Sequence, residues 1–286
     1  MTELTISTHV VGTGEDAITY DVRGDLSTGV PLLLFGAPMD ASGFQQLAEQ
    51  FPDRVVVTFD PRGTGRNPVG TGDLTAAQHA DDVHRVISAL GVGPVDAFGS
   101  SGGAVNLLAA AAAHPEDFRA VVAHEPPSAP LLPDADEVLA VVADIKSTYA
   151  AQGNGHAMAK FIAFVMFDGQ IPDSYLDQPA PDPAMFGMPA EDDGDRTNPL
   201  IRNMPSVIEY RPDVEALRAL GDRLVLAAGV ESGQTMAARG ARAIAAAVGI
   251  PVTDFPGSHG SFQDQPPMYP GIPVEFGARL REVLAV

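Results

Sequence analysis

The sequence predicts an α/β protein: an eight-stranded, mostly parallel, doubly wound sheet covered by helices, with an inserted helical cap. Three observations carry this expectation. Short β-type runs alternate with helical patterns along most of the chain. That rhythm stops between Pro126 and about Pro212, then resumes. Between the fifth strand and the helix after it, Phe98-Gly99-Ser100-Ser101-Gly102-Gly103-Ala104 joins an apolar run to an alanine-rich one, as a strand turning sharply into a helix does.

In chain order, strands are expected at residues 4–8, 18–22, 30–35, 54–59, 94–98, 119–124, 223–228 and 252–255. Helices are expected between and after them at 43–51, 75–90, 102–112, 214–220, 233–247 and 274–284, and the alanine runs 109–113 and 243–247 suit two of these. Residues 1–125 and 213–286 then form the core, and 126–212 the cap. Within the cap, helical patterns at 136–151 and 155–167 lead into an irregular acidic segment, 168–195. Its Phe161, Phe164, Met166, Phe167, Met185, Phe186, Met188 and Met204 are suited to an adaptable apolar pocket. Phe164 and Met185 are the residues expected to line it, the plainer reading being that such residues form the cap's own small core.

Bulk composition narrows the function. The 286 residues can bury a large core unaided. A net charge of −20 repels phosphate backbones and anionic lipid, which disfavours nucleic-acid and membrane-surface roles. No cysteine is present, so disulfides, thiolate catalysis and cysteine-based metal sites are excluded together. Met1-Thr2-Glu3-Leu4 lacks a basic region followed by an apolar one, and no apolar stretch approaches the ~18 residues of a membrane span. A cytoplasmic protein is expected.

The turn around Ser101 has the G-x-S-x-G form of a nucleophile elbow. Glycine at 99 and 103 is needed because a side chain at either position would strike the neighbouring strand or helix. Serine is a weak nucleophile without a base. Of the seven histidines, His9, His79, His84, His114 and His156 read as surface or packing residues. His259, in the glycine-flanked loop Phe255-Pro256-Gly257-Ser258-His259-Gly260 after the last strand, is placed to swing over the carboxyl ends of the strands. A carboxylate must orient it, and two compete: Glu125 after the sixth strand and Glu231 after the seventh. For the oxyanion, Gly102 offers one backbone N–H and the loop Phe35-Gly36-Ala37-Pro38-Met39 a second, at Ala37. The glycine-rich stretch Asp60 to Asn67 lacks phosphate-binding spacing and reads as a structural turn.

Taken together, the elbow at Ser101, the Gly36-Ala37 loop, the Asp60–Asn67 turn, the cap and the late His259 resemble the α/β-hydrolase superfamily over nearly the whole chain. Two positions depart from it: Phe35 stands where a histidine is usual, and Asn67 where a serine or threonine is usual, so the hydrogen bonds bracing those loops should differ. Within the superfamily, Gly99-Ser100-Ser101-Gly102, His124-Glu125-Pro126-Pro127, Val214-Glu215-Ala216-Leu217-Arg218 and Pro256-Gly257-Ser258-His259 resemble the zearalenone-type lactonases. That resemblance implies Glu125, rather than Glu231, as the acid. Because the chain has no Trp, it does not imply that particular substrate.

The expected activity is hydrolysis of an apolar carboxylic ester or lactone by a serine enzyme of carboxylesterase or lactonase type. It needs no metal and no organic cofactor. Its partner is the small substrate, with oligomeric state open, a homodimer included. A C–C bond or amide hydrolase or a perhydrolase would use the same residues, and a slow-turnover ligand sensor would keep them. Substrate identity, chain length and stereochemistry are not encoded legibly.

Overall fold

The computed structural model describes residues 5–264 and 270–285. Eight strands form one sheet in the order β1-β2-β4-β3-β5-β6-β7-β8. They are β1 (Ile6–Val11), β2 (Ile18–Arg23), β3 (Leu32–Ala37), β4 (Val56–Phe59), β5 (Val95–Ser101), β6 (Phe118–His124), β7 (Leu224–Gly229) and β8 (Val252–Phe255). The first strand was expected to begin at Leu4, which lies outside the described residues. Strand β2 is antiparallel to both β1 and β4, and every pairing from β4 through β8 is parallel. The eight-stranded, mostly parallel α/β sheet is therefore as the sequence predicts.

Alternation within the central strands divides two apolar layers. Leu33 and Phe35 of β3 join a cluster with Leu107 and Leu108, while Leu32 and Leu34 join one with Phe51, Phe276 and Leu280. The first layer is covered by α2 (Ala76–Leu90) and α3 (Gly102–Ala113), the second by α1 (Gln45–Glu49) and α9 (Pro273–Leu284). A capping box starts α2: the Gln78 backbone N–H donates to the Thr75 hydroxyl, and the Thr75 N–H donates to the Gln78 side chain.

Between β6 and the short helix α7 (Val214–Ala219), no strand forms among the described residues. This stretch holds α4 (Ala135–Gln152), α5 (Asn154–Val165) and α6 (Pro199–Ile208). These helices have an apolar core of their own, around Val138, Val142, Ile145, Phe164 and Ile201. Polar ties join them to the sheet layer. Buried Asp134 pairs with Arg239 of α8 (Met236–Val248) and accepts the Ile171 N–H at 2.6 Å. His79 of α2 meets Asn203 of α6 at 2.8 Å. In the Asp60–Asn67 turn, the Asp60 carboxylate accepts the Ala41 and Arg66 backbone N–H groups. Asn67 donates to the Asp60 carbonyl and accepts from Thr19 N–H, so its amide supplies the bracing in place of a hydroxyl.

Two buried histidines make the fold sensitive to mild acid. Burial disfavours the imidazolium and lowers the pKa of His79 to about 4 and that of His124 to about 4. Both groups have folded pKa values below the ~6.5 of an unfolded imidazole, so the unfolded chain binds more protons between these limits. Stability therefore falls as pH drops from ~6.5 towards ~4, by on the order of 3 kcal/mol for each. Urea unfolding at stepped pH should give a free energy that declines through this window. The His79→Gln, His124→Gln double variant should show a flatter decline, and an unchanged slope would contradict this account.

Candidate active site

The carboxyl ends of β3, β5 and β6, and the loop after β8, converge on one apolar cavity of about 440 Å³. Ser101 ends β5 and stands at the N-cap position of α3 with φ +57° and ψ −128°. A serine at a helix start ordinarily caps the helix through its hydroxyl. In this backbone state the Ser101 side chain makes no capping bond, and the residue lines the cavity instead. The turn is held by close contacts that only glycine permits. A Cβ at Gly99 would lie 2.6 Å from the Gly103 carbonyl oxygen, and one at Gly103 would lie 2.6 Å from the Gly36 Cα. Collision of α3 with β3 and β5 is thus the physical reason for both glycines.

His259 lies beyond β8, and its Nδ1 is 2.6 Å from Glu125 Oε2. Its loop is fixed from two sides: Ser258 N–H donates to the Ser261 hydroxyl, and Glu231 N–H donates to the Gly257 carbonyl. Glu125 follows β6 with φ +50° and is fully buried. Its other oxygen accepts the Gly229 N–H at 2.8 Å. Burial raises its pKa, but the His259 hydrogen bond and the fields of His124 and His259 outweigh this and hold it at about 2. Glu125 is consequently a carboxylate throughout the neutral range. Glu231 is exposed, and it braces the histidine loop by its backbone rather than its side chain.

Ser101 and His259 both line the cavity, and no hydrogen bond joins them among the described residues. Such contacts commonly close only when substrate binds. Ala37, Gly102, Gly36 and Met39 line the same end, so the two amides expected to serve an oxyanion sit beside Ser101. The opposite wall comes from α5 and α6, through Phe161, Val165, Leu200, Met204, Val207 and Ile208. No Asp, Glu, Lys or Arg is among the described residues that line it.

Two pocket expectations need correction. Phe164 is fully buried in the core of the helical layer and does not line the cavity. Met185 is 77% exposed and does not line it either. On α5, Phe161 and Val165, one turn apart, form the wall, while Phe164 is turned about 60° from Phe161 around the helix and packs into the core. Sequence reasoning also missed the polar lining residues Asn203, Thr235 and Gln263. It missed a buried pair behind the site, in which the Ser100 hydroxyl lies 3.1 Å from His124 Nδ1. The His124 ring stacks 6.3 Å from that of His259, and its Nε2 has no hydrogen-bond partner among the described residues.

The fold agrees with comparisons to other proteins. The chain is 36% identical over 112 residues to the uncharacterized hydrolase YraK of Bacillus subtilis (strain 168). That match spans 38% of this chain and 41% of the relative. Among solved structures, the enol-lactonase from Burkholderia xenovorans LB400 is similar with a TM-score of 0.66 at 17% identity, covering 94% of this chain and 97% of its own. A thermophilic esterase from Thermogutta terrifontis gives 0.68 at 18%, covering 98% of each chain. MGS-M2, an alpha/beta hydrolase enzyme from a Medee basin deep-sea metagenome library, gives 0.71 at 15%, covering 97% of this chain and 98% of its own. At these identities the likeness is one of fold. No described helix is long and apolar enough to cross a membrane. The family model for the alpha/beta hydrolase fold matches residues 32–203, more than half of the sequence, and the chain belongs to that family.

Proposed function

We propose that this chain is a serine hydrolase of uncharged, apolar carboxylic esters or lactones, acting through Ser101, His259 and Glu125. The observation that carries the reading is the 2.6 Å contact of His259 Nδ1 with the buried Glu125 carboxylate, at the mouth of a cavity that Ser101 shares. The Glu125 carboxylate keeps the Nδ1 proton of His259 in place, leaving Nε2 free to take the Ser101 proton. The Ser101 oxygen attacks the carbonyl, and the Gly102 and Ala37 N–H groups hold the oxyanion. His259 returns the proton to the leaving alkoxide, and water then releases the acyl group by the same route. Helices α4–α6 act as a cap over the cavity. Its uncharged lining supports a neutral substrate, and the lactonase-like motifs together with the enol-lactonase neighbour support lactones within that class. A ligand sensor would gain thermal stability from such a compound without releasing product.

Ser101→Gly should reduce turnover of an activated ester on the order of 10⁴- to 10⁶-fold. Because it relieves a positive-φ backbone, it should also raise stability by about 1 kcal/mol. Turnover that survives this change would remove Ser101 from the mechanism.

Glu125→Gln should cost up to about 10⁴-fold in kcat by favouring the wrong imidazole tautomer, while Glu231→Gln should stay near wild type. The reverse ranking in steady-state kinetics would move the acid to the loop after β7.

Phe161→Ala should lower kcat/KM for bulky esters more than for acetyl esters. Phe164→Ala should instead lower stability by about 3–5 kcal/mol, and Met185→Ala should alter neither. Equal kinetics of Phe161→Ala and wild type on every chain length would show that α5 does not contact substrate.

A further inference from the structure

At the opposite end of α3 from Ser101 lies a second cluster of side chains that the proposed chemistry does not use. His84 projects from α2, His114 ends α3, and Asp117 belongs to the short turn that leads into β6. The imidazoles stack with centroids 3.9 Å apart and planes 14° from parallel. His84 Nδ1 lies 2.7 Å from Asp117 Oδ2. A potential ligand atom from each of the three residues falls within 4.8 Å of the others. The Glu116 carboxylate lies 3.8 Å from His114 Nδ1.

We propose that His84, His114 and Asp117 form a site for a divalent transition metal of the zinc type. Two neutral imidazoles and one carboxylate are the donors that such borderline ions prefer, and hard cations such as magnesium prefer oxygen alone. In a chain without cysteine, histidine and carboxylate are the donors left for a borderline ion. Tetrahedral coordination at ~2.0–2.1 Å sets ligand atoms about 3.3 Å apart, so the side chains close on the ion by rotamer adjustment. They have room to do so, because His84 and His114 are about one-third exposed. The backbone beneath them is already fixed. Arg223 donates to the Pro115 and Phe118 carbonyls at 2.8 and 2.9 Å, and Asp117 N–H donates to the His114 carbonyl. Three protein ligands leave a fourth position for water or for Glu116. An ion there ties α2 to the turn between α3 and β6. The 12-residue α3 separates it from Ser101 by about 18 Å, so it acts on stability rather than on the reaction.

Calorimetric titration of zinc chloride into the untagged full-length chain tests this. The expected result is one ion per chain with micromolar or tighter affinity, a higher melting temperature and unchanged ester turnover. His84→Ala and His114→Ala should each weaken binding at least tenfold while retaining turnover, and a His9→Ala, His156→Ala control should bind as wild type. Should either test variant fail to fold, ring nitrogen resonances in the wild-type protein supply the same answer, with His84 and His114 shifting first on zinc addition. Binding no tighter than millimolar, affinity unchanged in the folded variants, or zinc shifts confined to other histidines would overturn the proposal.

Discussion

The arrangement of the site depends on one contact, the carboxylate of Glu125 against the imidazole of His259. An ionised carboxylate with no solvent exposure is tolerated only if its lone pairs are filled. Gly229 N–H fills one position and His259 Nδ1–H another. Those partners come from the end of β7 and from the loop after β8, so a single buried charge draws the ends of three adjacent strands together. The positive φ of Glu125 belongs to the same constraint. It turns the chain out of β6 while the side chain stays under the sheet's end, and the chain then leaves for the helical layer through Pro126 and Pro127.

The position of Ser101 is held in a complementary way, by exclusion of atoms rather than by attraction. Gly99 and Gly103 let α3 press against β3 and β5 at distances no Cβ allows. That proximity keeps Ser101 in a backbone state which bars it from capping its own helix. Strain of this kind persists only where the surroundings over-determine it, and here the surroundings are the most deeply buried strands of the sheet. Behind them, the Ser100–His124 pair sets a buried imidazole beside the ring of His259. An apolar residue in the Phe98, Phe255 and Phe276 cage would avoid the unpaired His124 Nε2.

Much of this was legible in the sequence because its causes are local. Six of the eight strands lie within two residues of the expected bounds at each end, while β1 and β5 run three residues further than expected. The elbow was legible because glycine spacing around a serine reports a steric requirement directly. Helix α6 was not foreseen; Pro199 opens it and Pro205 is accommodated inside it. The cost of missing it was part of the cavity wall, Asn203 and Val207 among it, although Met204 had been named for the pocket. Phe164 and Met185 were misplaced for a different reason. Composition shows that a segment holds apolar side chains but not which of them face its own core, because that depends on a neighbouring layer far away in sequence. The choice between Glu125 and Glu231 was equally non-local, as both follow strands that end beside the histidine loop.

The cavity itself follows from how the two layers meet. The sheet layer and the helical layer each have an apolar core. Polar contacts at separate points join them: Asp134 with Arg239, His79 with Asn203, and Arg202 with the Gly70 carbonyl. Directional contacts fix a spacing, whereas apolar faces alone would collapse until they touched. The gap left between the cores is therefore apolar on both walls, with its reactive groups confined to the strand ends. In the hydrolysis proposed above, water in such a space would compete little for the oxyanion, and two backbone N–H groups would exert more of their field than at an open surface. On the proposed reading, the same packing that leaves room for an apolar substrate is what would make the Gly102 and Ala37 amides effective.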